Sequence, residues 1–320
     1  KTSIETPLST QTFSAVEIET YPGGNNDITR VIQSLPGISP SVGGFRNDII
    51  IRGGGPNETV YYIDGIEIPN INHFSTQGSS GGPVGLVNIS FIKDVTLTTS
   101  SFGAEYDNAL SGVLSFVQKE ANKEKISGNF RIGSSEAGIT LDGPINQDTS
   151  FIFSLRRSYL QFIFKAFGFS FLPDYWDYQM KLNHKIDDLN YINFIGIGIG
   201  SIDELTVNEP DEFDFENQST IEQIPITNQK SRTFGVTWKR IYKNSNGFFN
   251  LSLSNNKLEN NFERFEDNVS KTNKVYSNLS TEEDIKLRFI SNNNLENYKF
   301  SFGGNFQLSK YSNRTLFKFY

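Results

Sequence analysis

The sequence predicts a mixed α/β unit followed by the antiparallel strands of a membrane-spanning β-barrel. Three observations support this prediction. The first 120 residues carry one helical pattern among short apolar runs that glycine-rich turns separate. From Ile126 onward, apolar residues occupy alternate positions with polar residues or glycine between them, as in barrel strands that face lipid on one side. Short turns connect these strands at one end and mostly long loops at the other, which is the usual layout of outer-membrane barrels.

Composition narrows the possible functions. The net charge of −7 argues against a nucleic-acid partner, because proteins that bind nucleic acid carry a basic surface. Aromatic residues make up 13% of the chain although apolar residues total only 36%, which suits a β-rich protein with an aromatic outer surface. The chain has no cysteine and only two histidines, His73 and His184, so we expect no metal centre, no other cofactor and no catalytic triad. An enzyme is therefore not expected.

The first unit opens with a Ser/Thr-rich segment, residues 1–20, in which weak alternation predicts one strand. Asn26-Asp27 is a candidate N-cap for a helix, because apolar residues follow at helical spacing as far as Leu35, and Pro36-Gly37 then ends the pattern. Further strands are predicted over 48–52, 59–64, 66–68, 94–99 and 112–117, with a polar loop over 69–83 and a helical turn over 86–89.

The second unit starts after a charged run at residues 119–125, so the predicted domains are residues 1–120 and residues 121–320. A soluble β-sandwich would also alternate, but it needs no asymmetry between short and long connections. Long connections are expected over about 158–173, 201–229 and 257–280. About nine strands are predicted, over 126–132, 139–141, 151–155, 176–182, 191–199, 234–238, 249–253, 285–289 and 298–302.

Several short motifs of the first unit stand in an order that resembles one known family. Over roughly residues 10–120, their order and spacing resemble the plug domain of TonB-dependent outer-membrane receptors. The resemblance implies a plug domain inside a transmembrane β-barrel of about 22 strands in a bacterial outer membrane. The motifs are Leu35-Pro36-Gly37, Ile51-Arg52-Gly53, Ile63-Asp64-Gly65, Phe102-Gly103 with Tyr106, and the run Ser111–Phe116.

Barrel size then bears on the length of the chain. A plug of about 120 residues is more than about 25 Å across, and only a barrel of about 22 strands has room for it. Since nine strands take about 200 residues here, 22 strands would take roughly 500. We therefore expect the chain to be the N-terminal part of a longer receptor with an incomplete barrel. A signal peptide and a TonB-binding segment are expected upstream of Lys1.

Arg52 is the first candidate site residue. It follows the apolar run Ile49–Ile51, and an unpaired charge at the end of a buried strand would be costly, so a partner from outside the first unit is expected. By the resemblance, Arg52 would pair with glutamates on the inner barrel wall and hold the plug in place. A loop arginine that is satisfied locally is the alternative.

Three loops of the first unit would form the floor of a ligand pocket if the resemblance transfers. They cover residues 41–47, 53–59 and 70–80. Ordinary loop chemistry is the alternative for each polar or aromatic residue in them. The candidate ligand contacts are Arg46, Asn57, Glu58, Asn72, His73 and Phe74.

Two other patterns are not interpreted as sites. The run Gly53–Pro56 follows a strand, but it lacks the helix and the Lys-Ser/Thr pair of a phosphate-binding loop. Residues 201–229 carry eight acidic residues and no Lys or Arg, but they lack the spacing of a calcium-binding loop. A solvated external loop is the preferred interpretation of the acidic segment.

The resemblance implies a receptor that imports a scarce solute of the siderophore, cobalamin, glycan or peptide class. Its expected partners are outer-membrane lipid, the TonB energy-transducing complex, a small solute or oligomeric nutrient, and a surface lipoprotein. Two alternatives remain open. One is an outer-membrane-anchored surface protein that binds or signals, and the other is a soluble β-rich periplasmic binding module.

Overall fold

The structure is a computed structural model of the 320-residue chain. Within the residues that it describes, none of the helices has the length and apolar composition needed to cross a bilayer. The described residues are 9–21, 27–40, 47–76, 79, 81–133, 135–200, 203–209, 218–219, 221–222, 224–243, 246–295 and 298–318.

In its described residues, the first unit contains two helices, one 3₁₀ turn and nine short strands. In chain order these are β1 (Thr10–Ser14), α1 (Ala15–Thr20), α2 (Ile28–Gln33), β2 (Ile38–Ser39), β3 (Ile50–Ile51), β4 (Thr59–Ile63), β5 (Ile66–Ile68), β6 (Asn72–His73), β7 (Val84–Gly85), the 3₁₀ turn (Ile89–Phe91), β8 (Ile92–Thr98) and β9 (Gly112–Gln118).

A five-stranded mixed sheet organises this unit. Its strand order is β1-β8-β9-β4-β5, and β4 and β9 are parallel while the other neighbours are antiparallel. Two further pairs, β2 with β3 and β6 with β7, form small separate ladders. The core beneath the sheet is apolar and contains the fully buried side chains of Ile18, Ile32, Ile63, Phe91 and Leu114. Burial of this kind is the main source of stability for a unit of this size.

Side-chain caps explain where the two helices begin. The prediction for α2 is confirmed, because Asp27 Oδ1 accepts a hydrogen bond from the backbone N–H of Thr29 at 2.9 Å. Helix α1 was missed, since only a strand was expected over residues 1–20. Its signal was a capping box, in which Ser14 and Glu17 each accept a backbone N–H of the other.

Within its described residues, the second unit is an extended antiparallel sheet with a short helix between β-strands and further helical residues at 218–219 and 221–222. In chain order its elements are β10 (Ser127–Ile132), β11 (Glu136–Pro144), β12 (Thr149–Ser158), α3 (Leu160–Ala166), β13 (Phe171–Asp174), β14 (Trp176–Lys185), β15 (Asn190–Ile199), β16 (Asp203–Val207), β17 (Ile226–Ile241), β18 (Phe248–Asp267), β19 (Thr272–Asn294) and β20 (Lys299–Phe317).

The nine predicted strands are confirmed. They correspond to the path β10-β11-β12-β14-β15-β17-β18-β19-β20, and the short strands β13 and β16 pair beside it and join it at β17. The long connection expected over 257–280 is wrong, because β18 continues to Asp267 and β19 begins at Thr272. Backbone hydrogen bonds extend this hairpin where polar residues occupy both faces, so apolar alternation gives no signal there.

The sheet has two chemically different faces. Along β17, odd-numbered residues such as Gln229 and Thr233 are buried on the face toward the first unit, which we call the inner face. Even-numbered residues such as Phe234 and Val236 lie on the opposite, outer face. Gln229 Nε2 donates to the carbonyl oxygen of Ser75 at 2.7 Å, which shows directly that the inner face meets the first unit.

Candidate functional site

The first unit packs against the inner face through buried polar contacts. Asn88 illustrates them, because its backbone N–H donates to Gln179 Oε1 at 3.1 Å and its Nδ2 donates to Ser154 Oγ at 2.6 Å. All three side chains are buried. Buried polar groups are costly unless they are paired, so each such bond selects one position of the first unit against the sheet.

His73 makes the most highly charged of these contacts. It lies in β6, is 0% exposed, and its two ring nitrogens face carboxylates of two different strands. Nδ1 is 2.6 Å from Asp203 Oδ2, and Nε2 is 3.1 Å from Asp177 Oδ2. A carboxylate only accepts hydrogen bonds, so two such partners favour the imidazolium, in which both ring nitrogens donate. The ring of Tyr175 covers the imidazole with the ring centroids 4.3 Å apart.

The electrostatics of His73 follow from this arrangement. Burial alone disfavours the charged ring and lowers its pKa. The carboxylates of Asp203 and Asp177 outweigh burial and raise the pKa of His73 to about 9. His73 therefore carries a positive charge at neutral pH, although it is shielded from solvent.

Arg156 on β12 completes the cluster. Its Nε donates to Asp177 Oδ1 at 2.8 Å, and one terminal nitrogen lies 3.3 Å from Glu136 Oε1. The other terminal nitrogen donates to the carbonyl oxygens of Gly85 and Leu86 at 3.0 and 2.8 Å. The guanidinium thus joins the sheet to the backbone of the first unit. We call His73, Asp177, Asp203 and Arg156 the histidine contact.

Interactions within the first unit hold His73 in position. A Cβ on Gly82 would lie 1.7 Å from the carbonyl oxygen of His73, so only glycine allows these two backbone segments to come so close. Asp27 Oδ2 accepts hydrogen bonds from the backbone N–H of Gly85 at 3.1 Å and from Asn47 Nδ2 at 2.7 Å. Burial raises the pKa of Asp27. The same aspartate therefore caps α2 and supports the β6–β7 pair.

A second group of contacts holds the β4–β5 hairpin. Lys181 Nζ on β14 lies 3.1 Å from Asp64 Oδ2, and Lys286 Nζ on β19 lies 2.6 Å from Glu67 Oε1. Both lysine side chains are buried, with 5% and 8% exposure. Buried ammonium groups need such partners, so the hairpin is fixed on both sides. We call these two ion pairs the lysine contacts.

The lysines and a glycine between them form a seat for the hairpin. Strand pairing places Lys181, Gly235 and Lys286 at one level of the sheet, through β15 and β18. A Cβ on Gly235 would lie 2.8 Å from Ile66 Cγ1. The missing side chain therefore makes room for the apolar tip of the hairpin, while the lysines bind its carboxylates.

Arg288 adds an aromatic contact beside this seat. Its guanidinium lies over the rings of Tyr62 and Tyr106, at 5.1 and 5.9 Å from their centroids. It also donates to the carbonyl oxygen of Glu105. Cation–π contacts of this kind add to the hydrogen bond when the charge is partly desolvated.

Comparison with known proteins agrees with this architecture. Residues 2–113 match the family model described as TonB-dependent Receptor Plug Domain. The first unit is a TonB-dependent receptor plug domain. The predicted resemblance is confirmed, and from here on we call the first unit the plug and the second unit the wall. No curated protein matches the chain.

Solved structures with the same fold cover nearly the whole chain. A mutant of the ferric enterobactin receptor PfeA from Pseudomonas aeruginosa is 14% identical, with a TM-score of 0.66 over 95% of this chain and 49% of that chain. The siderophore receptor PirA from Acinetobacter baumannii is 15% identical, with a TM-score of 0.66 over 95% and 48%. The copper transporter OprC is 11% identical, with a TM-score of 0.68 over 96% and 47%.

These structures confirm the predicted fold class. The chain is a plug domain followed by antiparallel strands that make up part of a barrel. It spans about half the length of the solved structures that it matches, from 47% to 49% for the three above. At identities below 16%, this likeness establishes the fold alone.

Arg52 does not lie at the end of a buried strand. Strand β3 ends at Ile51, and Arg52 turns away with a φ of 51° and an exposed side chain. Its backbone N–H donates to the carbonyl oxygen of Gly37 at 2.8 Å. Among the described residues, its side chain forms no ion pair, and its pairing with wall glutamates stays a prediction.

Two predicted ligand contacts lie on the plug surface. Asn57 is exposed and Glu58 is half-buried. The Ser111 hydroxyl donates to Glu58 Oε2, and this bond lowers the pKa of Glu58. Glu58 is therefore engaged within the plug, while its contact with a ligand stays a prediction. Arg46 falls outside the described residues.

The structure buries three of the predicted ligand contacts, Asn72, His73 and Phe74. All three side chains are buried, with 1%, 0% and 5% exposure. Asn72 and His73 form β6 instead of an open loop, and Phe74 packs edge-on against Tyr175. Wall residues cover His73 and Phe74, whereas Asn72 accepts a hydrogen bond from Thr29 within the plug. The role of these three residues as ligand contacts stays a prediction.

The sequence analysis did not identify the wall residues of the histidine and lysine contacts as site residues. Lys181 and Lys286 stand at the polar positions of alternating strands, where Ser, Thr and Asn also occur. The available signal was an ionisable group at an inner-face position, which is costly unless a partner covers it. The same signal points to Arg156 and Asp177.

Proposed function

We propose that the chain belongs to an outer-membrane receptor that imports a scarce solute through a plugged β-barrel with energy from a TonB complex. The observation that supports this is that buried polar contacts attach the plug to the wall. The apolar core of the plug is continuous with four buried isoleucines of the wall, and the histidine and lysine contacts add buried charged links between the two units. The four wall residues are Ile152, Ile195, Ile197 and Ile199. Water can replace hydrogen bonds and ion pairs, so we propose that import releases these polar links while the plug stays folded.

The solute that we propose is of the siderophore, cobalamin, glycan or peptide class. The solved structures with this fold include receptors named for ferric enterobactin and siderophores, and a copper transporter. We propose no catalytic role, since TonB-dependent receptors bind and transport. The further partners in this proposal are outer-membrane lipid, the TonB complex through an upstream segment, and a surface lipoprotein.

The proposed location is the bacterial outer membrane, with the plug in the barrel lumen. Packing of the plug on the inner face of the wall supports this location. We also propose that the plug domain covers residues 1–120 and the barrel portion 121–320. The last plug strand ends at Gln118 and the first wall strand begins at Ser127, which supports that boundary.

A reversible tether between plug and wall tests the proposed transport. The solute is first identified from solute-limited growth of a deletion strain. Asn88→Cys with Ser154→Cys then places two thiols where the native side chains are in hydrogen-bond contact, in a segment without other cysteines. If the plug moves during import, oxidation should abolish uptake but preserve solute binding, and reduction should restore uptake.

The matched control places a disulfide inside the plug. Thr10→Cys with Thr98→Cys links two directly paired residues of β1 and β8, whose hydroxyls are 3.3 Å apart. This link leaves the plug free to move against the wall, so uptake should persist. Full uptake by the oxidised plug–wall tether would overturn the proposal. Solute binding without any uptake by the native protein would favour a surface-binding protein instead.

A further inference from the structure

An apolar band runs along the outer face of the wall. On β17 it comprises Phe234, Val236 and Trp238, and on β18 it continues with Leu251 and Leu253. Strand pairing places Val236 opposite Leu253 and Trp238 opposite Leu251. Val236 and Leu253 are 41% and 53% exposed, so the plug does not cover this surface. Such a band is what the lipid-facing surface of a barrel requires.

Positive charges begin where the apolar band ends. The next outer-face residues on β17 are Arg232 and Lys230, and both are exposed. On β18 the corresponding cation is Lys257, which lies directly opposite Arg232. Two like charges at opposed positions of neighbouring strands repel each other. An anion between them would remove that repulsion.

The carboxylates of this surface neutralise its positive charge only in part. Lys257 Nζ pairs with Glu259, which lies opposite Lys230. Glu283, opposite Lys257 on β19, accepts a hydrogen bond from Asn255. Within the described part of the chain, Arg232 and Lys230 form no ion pair. Their donors are thus available on the outer face.

Tyr178 contributes a neutral hydrogen-bond donor to the same place. It is paired with Gly198 on β15, and Gly198 is paired with Arg232. A Cβ on Gly198 would lie 3.1 Å from the Tyr178 hydroxyl oxygen, so this phenol extends across the glycine toward β17. Tyrosine is typical of the boundary between hydrocarbon and headgroups, where its ring is apolar and its hydroxyl is hydrated.

We propose that Arg232, Lys257, Lys230 and Tyr178 bind the phosphate group of an anionic lipid headgroup. Their position at the end of the apolar band indicates a lipid as the source of the phosphate, because the acyl chains would lie along that band. Arg232 supplies a planar fork of donors suited to a phosphate, and the lysines supply point charges. The proposal rests on the proposed membrane location, and it adds a lipid site outside the barrel lumen.

Lipid retention by the full-length receptor tests this site. The receptor is reconstituted into vesicles of phosphatidylcholine alone or of phosphatidylcholine with phosphatidylglycerol, and bound lipid is counted by native mass spectrometry after extraction. Arg232→Gln with Lys257→Gln should lower the retention of phosphatidylglycerol by about fivefold for each cation removed. Retention of phosphatidylcholine should not change. Inorganic phosphate at the same concentration should not displace the lipid.

A matched control removes two cations from the other end of the wall. Arg240 and Lys243 are exposed near the turn after β17, and Arg240→Gln with Lys243→Gln removes the same number of charges. An equal loss of lipid in this control would show a general charge effect and overturn the site. Unchanged retention in the Arg232–Lys257 variant, or displacement by inorganic phosphate alone, would also overturn it. Failure of the native protein to insert into either vesicle would count against the proposed function instead.

Discussion

The histidine contact and the lysine contacts join the same two units with opposite charge. In the histidine contact a cation of the plug, His73, meets the wall carboxylates of Asp177 and Asp203. In the lysine contacts the wall supplies the cations and the plug supplies the carboxylates of Asp64 and Glu67. A plug that was rotated or shifted in the barrel would bring like charges together. The reversal therefore specifies one orientation of the plug.

The two contacts also differ in the group that carries the positive charge and in the element that presents it. In the histidine contact the charge is that of an imidazolium, which changes within a few pH units of neutrality. The histidine contact is carried by a strand of two residues, and the lysine contacts are carried by a regular hairpin with a glycine seat. The histidine contact thus combines a titratable cation with a very short strand, whereas the lysine contacts act on a regular hairpin.

Removal of Asp177 should have the largest effect. Asp177→Asn takes away the carboxylate that His73 and Arg156 share and leaves buried cations short of a partner. We expect the free energy that holds the plug against the wall to fall by about 3–5 kcal/mol. Thermal unfolding with protease cleavage of the released plug measures the change. Asp174→Asn is the control, because its partner Arg157 is partly exposed, and a loss below about 1 kcal/mol is expected there.

A rise in pH should weaken the histidine contact, and we expect this to be the second largest of the effects. The folded-state pKa of His73, about 9, lies above its ordinary value of 6.5, so its contribution is complete below pH 6.5 and is lost as pH rises through 9. The melting temperature should therefore fall between pH 7 and pH 10, and His73→Gln should flatten that part of the profile. A profile that His73→Gln leaves unchanged would show that another group titrates.

A methyl group at Gly235, between Lys181 and Lys286, should weaken the attachment of the β4–β5 hairpin to the wall. Gly235→Ala places a Cβ within 2.8 Å of Ile66 Cγ1 and should cost about 1–3 kcal/mol by overpacking. Ile66→Ala in the same chain removes the clash. The double variant should therefore lose less stability than the two single losses added together. Simple additivity would mean that the hairpin does not sit in this seat.

Loss of one lysine should have the smallest effect of the four. Lys286→Met keeps most of the side-chain volume but leaves Glu67, which is 19% exposed, without its ion pair. Because water can still reach Glu67, we expect a loss of only about 1–2 kcal/mol. Lys185→Met is the matched control, since Lys185 and its partner Asp188 are 42% and 90% exposed. A loss as small as that of the control would show that the lysine contacts do not hold the plug.

Local patterns predicted most of the fold. Helix α2 followed from an N-cap and helical spacing, and the nine wall strands followed from alternation on a surface with one apolar face. The β18–β19 hairpin was cut short in the prediction, because its outer part has polar residues on both faces. Strand pairing there is set by the backbone of the neighbouring strand, which leaves no trace in residue composition.

The site was much harder to predict than the fold. His73 and Asp177 are 104 positions apart in the chain, and only docking of the plug on the wall brings them together. The polar composition around Asn72 and His73 predicted a loop instead of β6, because a strand of two residues has no periodicity to detect. Arg52 was expected to be buried because three isoleucines precede it, but β3 ends one residue earlier.

The length of the β18–β19 hairpin has a consequence for work on living cells. At about 3.3 Å per residue, the 20 residues of β18 extend roughly 65 Å, while about 10 residues are enough to cross a bilayer. If the proposed location is right, the polar tip near Asp267 stands well clear of the lipid. An antibody raised against that tip, or a fluorophore attached there, would mark the receptor on intact bacteria and leave its plug untouched.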